Sequence, residues 1–218
     1  MAVKGVPELA PWPPRNVDVA LVVALDVSAS VTEPEYDLMQ SGLALAVAST
    51  GVLEAIQTGL FGAIALSVMH WSGFQEQRVT SDWTFVSTES EAADFARKVA
   101  LTQRQYTGGA TDIGGAIVFG QKMIFGGPLD ATRLIIDLAG DGSNNVNFTP
   151  RIDSDAAAMA GITINCLAIP NKDAGLGEYY RKTVIAGPGA FVELTPDYRL
   201  FAEAMERKLI AEITTLYS

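Results

Sequence analysis

Cysteine and histidine are almost missing from this chain. One of each stands among 218 residues. The single cysteine, Cys166, excludes an internal disulfide framework and a Cys-rich zinc site. Its place in the apolar run ITINCLAI reads as that of a small buried hydrophobe. Basic residues are also few. Lys and Arg number 15 against 25 Asp and Glu, a net charge of −10, and no basic cluster stands out. That balance disfavours nucleic acid and anionic membranes as partners. No apolar run reaches the roughly 18 residues that cross a bilayer, so membrane insertion is not expected. The start, MAVKGVPELAPWPP, has no apolar h-region and does not read as a signal peptide. Residues 1–16 are expected to be a loose, Pro-rich lead-in to one domain over 17–218.

Hydrophobic residues make up 49% of the chain, enough for a sizeable core. The stretch VDVALVVALDVSASV at 17–31 organises the rest. Its apolar, β-branched run reads as a buried parallel strand over 17–26. It ends in Asp26, Ser28 and Ser30. Alternate residues of an extended segment face one side, so these three side chains can converge. Open α/β sheets place ligands at that carboxyl end.

Helical and strand patterns then alternate. Thr32 and Glu35 form a capping box before a helix carrying Tyr36, Met39, Leu43 and Val47. A short helix is expected at 52–56, and a hairpin of strands at 60–71 and 78–86. Thr88 and Glu91 open a helix through about 101. A polar loop, QYTGGATDIGG, feeds a helix that stops at Gly126-Gly127-Pro128. Strands follow at 134–139, 162–169 and 190–194. Helices are expected from Thr149-Pro150 to 160, at 178–185, and from Thr195-Pro196 onward. In the last helix Phe201, Met205, Leu209 and Ile213 mark the buried face. Glu203, Arg207, Lys208 and Glu212 are assigned to solvent. The alternation predicts an α/β fold with a doubly wound, mainly parallel six-stranded sheet, one antiparallel edge strand and helices on both faces.

Three strand-to-helix loops share one chemistry. The first offers Asp26, Ser28 and Ser30, the second Thr111 and Asp112, the third Asp141. Carboxylates and hydroxyls suit a hard cation, Mg²⁺ or Mn²⁺ ahead of Ca²⁺. Neutral hydroxyls leave much of the ion's charge unquenched, which favours a carboxylate from outside. Asp112 also sits at a helix start, where a carboxylate is favourable without any metal.

With these residues in place the chain resembles a von Willebrand factor A (VWA) domain. That family's metal-ion-dependent adhesion site, or MIDAS, is D-x-S-x-S followed by a threonine and an aspartate on two further loops. Asp26, Ser28, Ser30, Thr111 and Asp141 fill all five positions in order. The segments HWSGFQEQRV and GPGAFVELTPDYRLFAEAMERKL resemble a bacterial group of small, free-standing VWA-type proteins without assigned function. The resemblance implies a Rossmann-like fold and a metal at those five residues, with Ser28, Ser30 and Thr111 coordinating directly. It implies a protein partner that supplies an Asp or Glu carboxylate. It also implies an exported or periplasmic location, any signal being outside this numbering; a cytoplasmic one is the alternative.

Other signals carry less. Gly109 to Gly115 lacks the lysine of a phosphate loop, and no G-x-G-x-x-G follows the first strand. No G-x-S-x-G elbow occurs. His70 has no clearly paired serine and reads as structural. Asn147-Phe148-Thr149 matches a glycosylation sequon. Asp137 interrupts the apolar strand LIIDLA, roughly 13 Å from Asp141 at strand rise. It is expected either to hydrogen-bond behind the site or to lie at a partly open face. A binding module is therefore the first expectation and an enzyme is not. The alternatives are a metal-assisted hydrolase of a phosphate or ester, and a structural assembly subunit.

Overall fold

A computed structural model describes residues 15–127, 129–146, 148–170 and 173–215. The lead-in up to Pro14, Pro128 at the expected helix stop and Asn147 of the sequon lie outside them. Strand β1 (Arg15–Asp26) is the centre of the molecule. It is buried from Val17 to Asp26, which is why its sequence runs apolar instead of alternating. It pairs in parallel with β2 (Ile64–Trp71) on one side and β4 (Leu129–Gly140) on the other. Strand β3 (Gln77–Val86) returns antiparallel beside β2. Strands β5 (Ile162–Ala168) and β6 (Val192–Leu194) extend the far side in parallel. The order is β3-β2-β1-β4-β5-β6, so the α/β fold is doubly wound and mainly parallel as expected.

Helices cover both faces. On one lie α1 (Glu33–Val47), α2 (Thr50–Gln57), α3 (Glu89–Ala100) and α7 (Phe201–Thr214). They bury Met39, Leu43, Phe95, Phe201 and Leu209 against Val19, Leu21, Val23 and Leu25 of β1. On the other lie α4 (Ile113–Gly126), α5 (Arg151–Met159) and α6 (Leu176–Thr183), which meet Val22 and Ala24. Successive residues of β1 thus serve opposite cores, and each fully buried Leu or Val contributes about 1.5–3 kcal/mol. Both capping boxes form, at Thr32–Glu35 and Thr88–Glu91.

Several bounds differ from the sequence pattern. Strand β1 starts at Arg15, because Arg15 to Val17 pair with Leu129 to Ala131. Those same pairings lengthen β4 ahead of residue 134. Helix α6 starts at Leu176. The last helix begins at Phe201, after a 3-10 turn (Tyr198–Leu200) capped by Asp197. The larger correction concerns α7. Lys208 and Glu212 are 0% and 1% exposed, not solvated. Asp137 of β4 is fully buried and meets Lys208 at 2.6 Å, so it neither supports the loop site nor lies at an open face.

Candidate metal centre

Successive strands run outward from β1 on one side and, after β3, on the other from β4. The loops after β1 and β4 therefore diverge, and a crevice opens at the switch point where open α/β sheets bind ligands. The five expected residues meet there. Asp26 ends β1, and its Oδ1 accepts the backbone N–H of Ser28 at 2.8 Å, which turns the chain sharply. Ser28 Oγ lies 3.2 Å from Ser30 Oγ. Ser30 Oγ donates to Asp141 Oδ1 at 2.5 Å, across two loops. Thr111 Oγ1 donates to Ser28 Oγ at 3.5 Å. One oxygen chain therefore joins all three loops, of which the second, with Thr111, links α3 to α4 and does not follow a strand as expected.

Glycines permit the close approach. A side chain on Gly140 would come within 3.1 Å of Asp26 Oδ2 and 2.9 Å of the Tyr180 hydroxyl. Gly109 has φ +112°, and a Cβ there would meet Ser72 Oγ at 2.7 Å. The Thr111 loop is held by two asparagines of the third loop. Asn145 Oδ1 accepts Thr111 N–H at 2.7 Å, and Asn144 Oδ1 accepts Ile113 N–H at 2.9 Å. Asp112 caps α4 by accepting Gly115 N–H at 2.9 Å, the role a carboxylate has at a helix start.

The electrostatics single out Asp26. It is fully buried, and its Oδ2 has no hydrogen-bond partner among the described residues. Burial pushes its carboxyl up to about 7, opposed by the Ser28 hydrogen bonds and reinforced by Asp141. An orphaned carboxylate oxygen beside three hydroxyls and a second carboxylate is a set of hard oxygen donors, and it fits a small divalent cation. No three His, Cys, Asp or Glu side chains gather as a metal group among the described residues, so any ion here depends on the hydroxyls.

Three further residues shape the site without any mark in the sequence. Arg104, whose side chain is 5% exposed, lies under the first loop. Its Nη2 donates to the carbonyls of Val27, Ser28 and Val31 at 2.8–3.0 Å, and its Nε to Tyr106 O at 2.7 Å. The Tyr180 hydroxyl donates to Gly142 O at 2.9 Å. The Tyr198 phenol is raised by burial and by the negative charge of Asp141 and Asp26. Apart from the Arg104–Tyr106 bond, these contacts join residues far apart in sequence, and local spacing carries no signal for them. His70, by contrast, is buried edge-on to Tyr36, with ring centroids 5.6 Å apart.

Residues 16–217 match the family described as "Protein of unknown function (DUF1194)". The chain belongs to the DUF1194 family. Its fold is that of VWA domains. This DUF1194 chain is similar to proximal thread matrix protein 1 from the mussel byssus, in a structure described with a zinc-occupied MIDAS motif. Identity there is 19% and the TM-score 0.68, over 92% of this chain and 49% of that one. It thus spans about half the mussel protein's length. It is also similar to a von Willebrand factor type A protein from Catenulispora acidiphila (17% identity, TM-score 0.61, 90% and 43% covered). A third similar structure is the vWF domain of the type V pili tip protein Mfa5 from Porphyromonas gingivalis (12% identity, TM-score 0.60, 88% and 94% covered). At these identities the likeness is one of fold. A search of curated proteins finds no match for the DUF1194 chain.

Proposed function

We propose that this domain is a divalent-metal-dependent protein-binding module. Asp26 and Asp141 supply the negative charge, and Ser28, Ser30 and Thr111 supply neutral oxygens. When bound, Mg²⁺ or Mn²⁺ offers an unfilled coordination position that attracts an Asp or Glu carboxylate of a partner. The observation that carries this reading is the buried Oδ2 of Asp26, without a hydrogen-bond partner among the described residues, within a chain of hydroxyls joining three loops. Two exposed aromatics border the loops, Phe74 next to Gly73 and Phe148, whose carbonyl holds Asn144.

A hydrolase is the weaker reading. Its base would need reach to a metal-bound water, and the only histidine is enclosed, with neither ring nitrogen hydrogen-bonded among the described residues. The byssus and pilus proteins among the similar structures support an exported location. The test is calorimetric titration of EDTA-stripped protein with Mg²⁺, Mn²⁺ and Ca²⁺, beside Asp26→Ala and Ser28→Ala. Saturable one-site binding that both variants lose, with the fold intact by circular dichroism, supports the reading. Unchanged affinity in either variant removes it.

A further inference from the structure

The core between β4, β5 and α7 encloses three ionisable side chains. Lys208, Asp137 and Glu212 are 0%, 0% and 1% exposed. Lys208 Nζ lies 2.6 Å from Asp137 Oδ1 and 2.5 Å from Glu212 Oε1. Asn165 Nδ2 donates to that same Glu212 oxygen at 2.8 Å, and the Phe191 ring lies 5.3 Å from Nζ. The two carboxyls are held differently. Glu212 receives directional hydrogen bonds. The contact between Nζ and Asp137 is close but lacks hydrogen-bond directionality, and neither Asp137 oxygen has a hydrogen-bond partner among the described residues.

Among the described residues Lys208 is the one cation in contact with both side-chain carboxyls, which leaves excess negative charge between them when all three are ionised. Taking each ion out of water is costly, so this arrangement is unfavourable as an ion cluster. Taken as neutral groups, the same atoms are an amine against a carboxylic acid, with a second carboxyl touching the nitrogen. Those are the components of amide formation in a dry site.

We propose that Lys208 and Asp137 join in an intramolecular isopeptide bond, with Glu212 carrying protons between them. One ammonium proton passes through Glu212 to Asp137, which leaves a free amine and a carboxylic acid. The amine lone pair attacks Asp137 Cγ. Glu212 takes a second proton from the nitrogen and delivers it to the hydroxyl oxygen of Asp137. The C–O bond breaks and water leaves. One C–N bond has formed, one C–O bond has broken, Glu212 is regenerated and nothing is oxidised or reduced. Burial raises both carboxyls, Glu212 to about 7, which suits a group that takes and returns protons near neutrality; the two carboxyls outweigh burial at Lys208 and raise it, so the first proton transfer is the uphill step. The product fastens α7 to β4 and closes the chain from 137 to 208 into a covalent loop. Such a loop restricts the unfolded chain as a disulfide would, in a chain with only one cysteine.

The test is the mass of the purified, denatured full chain, followed by tryptic mapping. The expected wild-type mass falls below the sequence mass by one water. The peptide 134–151 should appear joined to 208–218, because an acylated Lys208 is no longer cleaved. Lys208→Arg and Glu212→Gln should each keep the full sequence mass. A wild-type chain at full mass with a cleavable Lys208 overturns the proposal, whatever the variants do. Loss of one ammonia, with the link at Asn165, overturns Asp137 as the acceptor. A link that forms equally in Glu212→Gln overturns the role given to Glu212.

Discussion

Arg104→Lys tests whether the Asp26–Val31 loop of the proposed metal site is built in advance. Arg104 Nη2 alone holds three carbonyls of the Asp26–Val31 turn, and Nε holds a fourth at Tyr106. Its ion pair with Glu33 adds little, since Glu33 is 64% exposed. Lysine keeps the positive charge but is a point donor and cannot fork across the turn. At about 1.5–3 kcal/mol per charge-assisted bond, losing one or two of them should destabilise the fold by about 3 kcal/mol. The effect on metal binding follows from order. A turn that must be fixed on binding costs about 1–2 kcal/mol per residue. One residue freed in the metal-free state then weakens Mn²⁺ binding about tenfold. Lysine is the cleaner change, because Arg104→Met also removes a cation beside Asp26 and so favours a metal for a second reason. Calorimetry on stripped protein reads the affinity, and urea denaturation reads the stability. A folded Arg104→Lys protein with lowered stability and unchanged Mn²⁺ affinity would refute the positioning argument.

Gly140→Ala should weaken metal binding sharply and destabilise the fold by about 1–3 kcal/mol, because the new methyl group meets Asp26 and the Tyr180 hydroxyl; calorimetry and thermal melting check both. His70 gives a pH signature: burial holds its imidazole down at about 4, from 6.5. The unfolded chain therefore takes up a proton that the native state refuses, so this group's stability is complete above about 6.5 and is lost as pH falls towards 4, by about 3 kcal/mol. The wild type should lose that much relative to His70→Gln between pH 7 and 4 in urea titrations, while the variant's Mn²⁺ affinity at pH 7 stays unchanged. A flat difference between the two would remove this account of His70.

That the three oxygen-bearing loops would meet was legible because their chemistry is local. D-x-S-x-S needs only the two-residue period of an extended chain to bring three oxygens together. The capping boxes were legible for the same reason, and the run of β1 announced a strand buried on both faces. Arg104 was not legible, since the three loop carbonyls it holds stand more than seventy positions away and nothing in TQRQYTGG distinguishes it. Lys208 and Glu212 are the instructive failure. They were given to solvent because they are charged. Yet Met205, Lys208, Leu209 and Glu212 fall at i, i+3, i+4 and i+7, the positions of the buried stripe itself. In α7 position decided burial and residue type did not. Asp137 was the complementary signal, a carboxylate inside an apolar strand. A buried charge without a partner is too costly to keep, so Asp137 required a cation at some other core position. Lys208 is a cation on the buried stripe of the helix that packs over the sheet beside Asp137. Two local oddities, each discounted alone, were one contact.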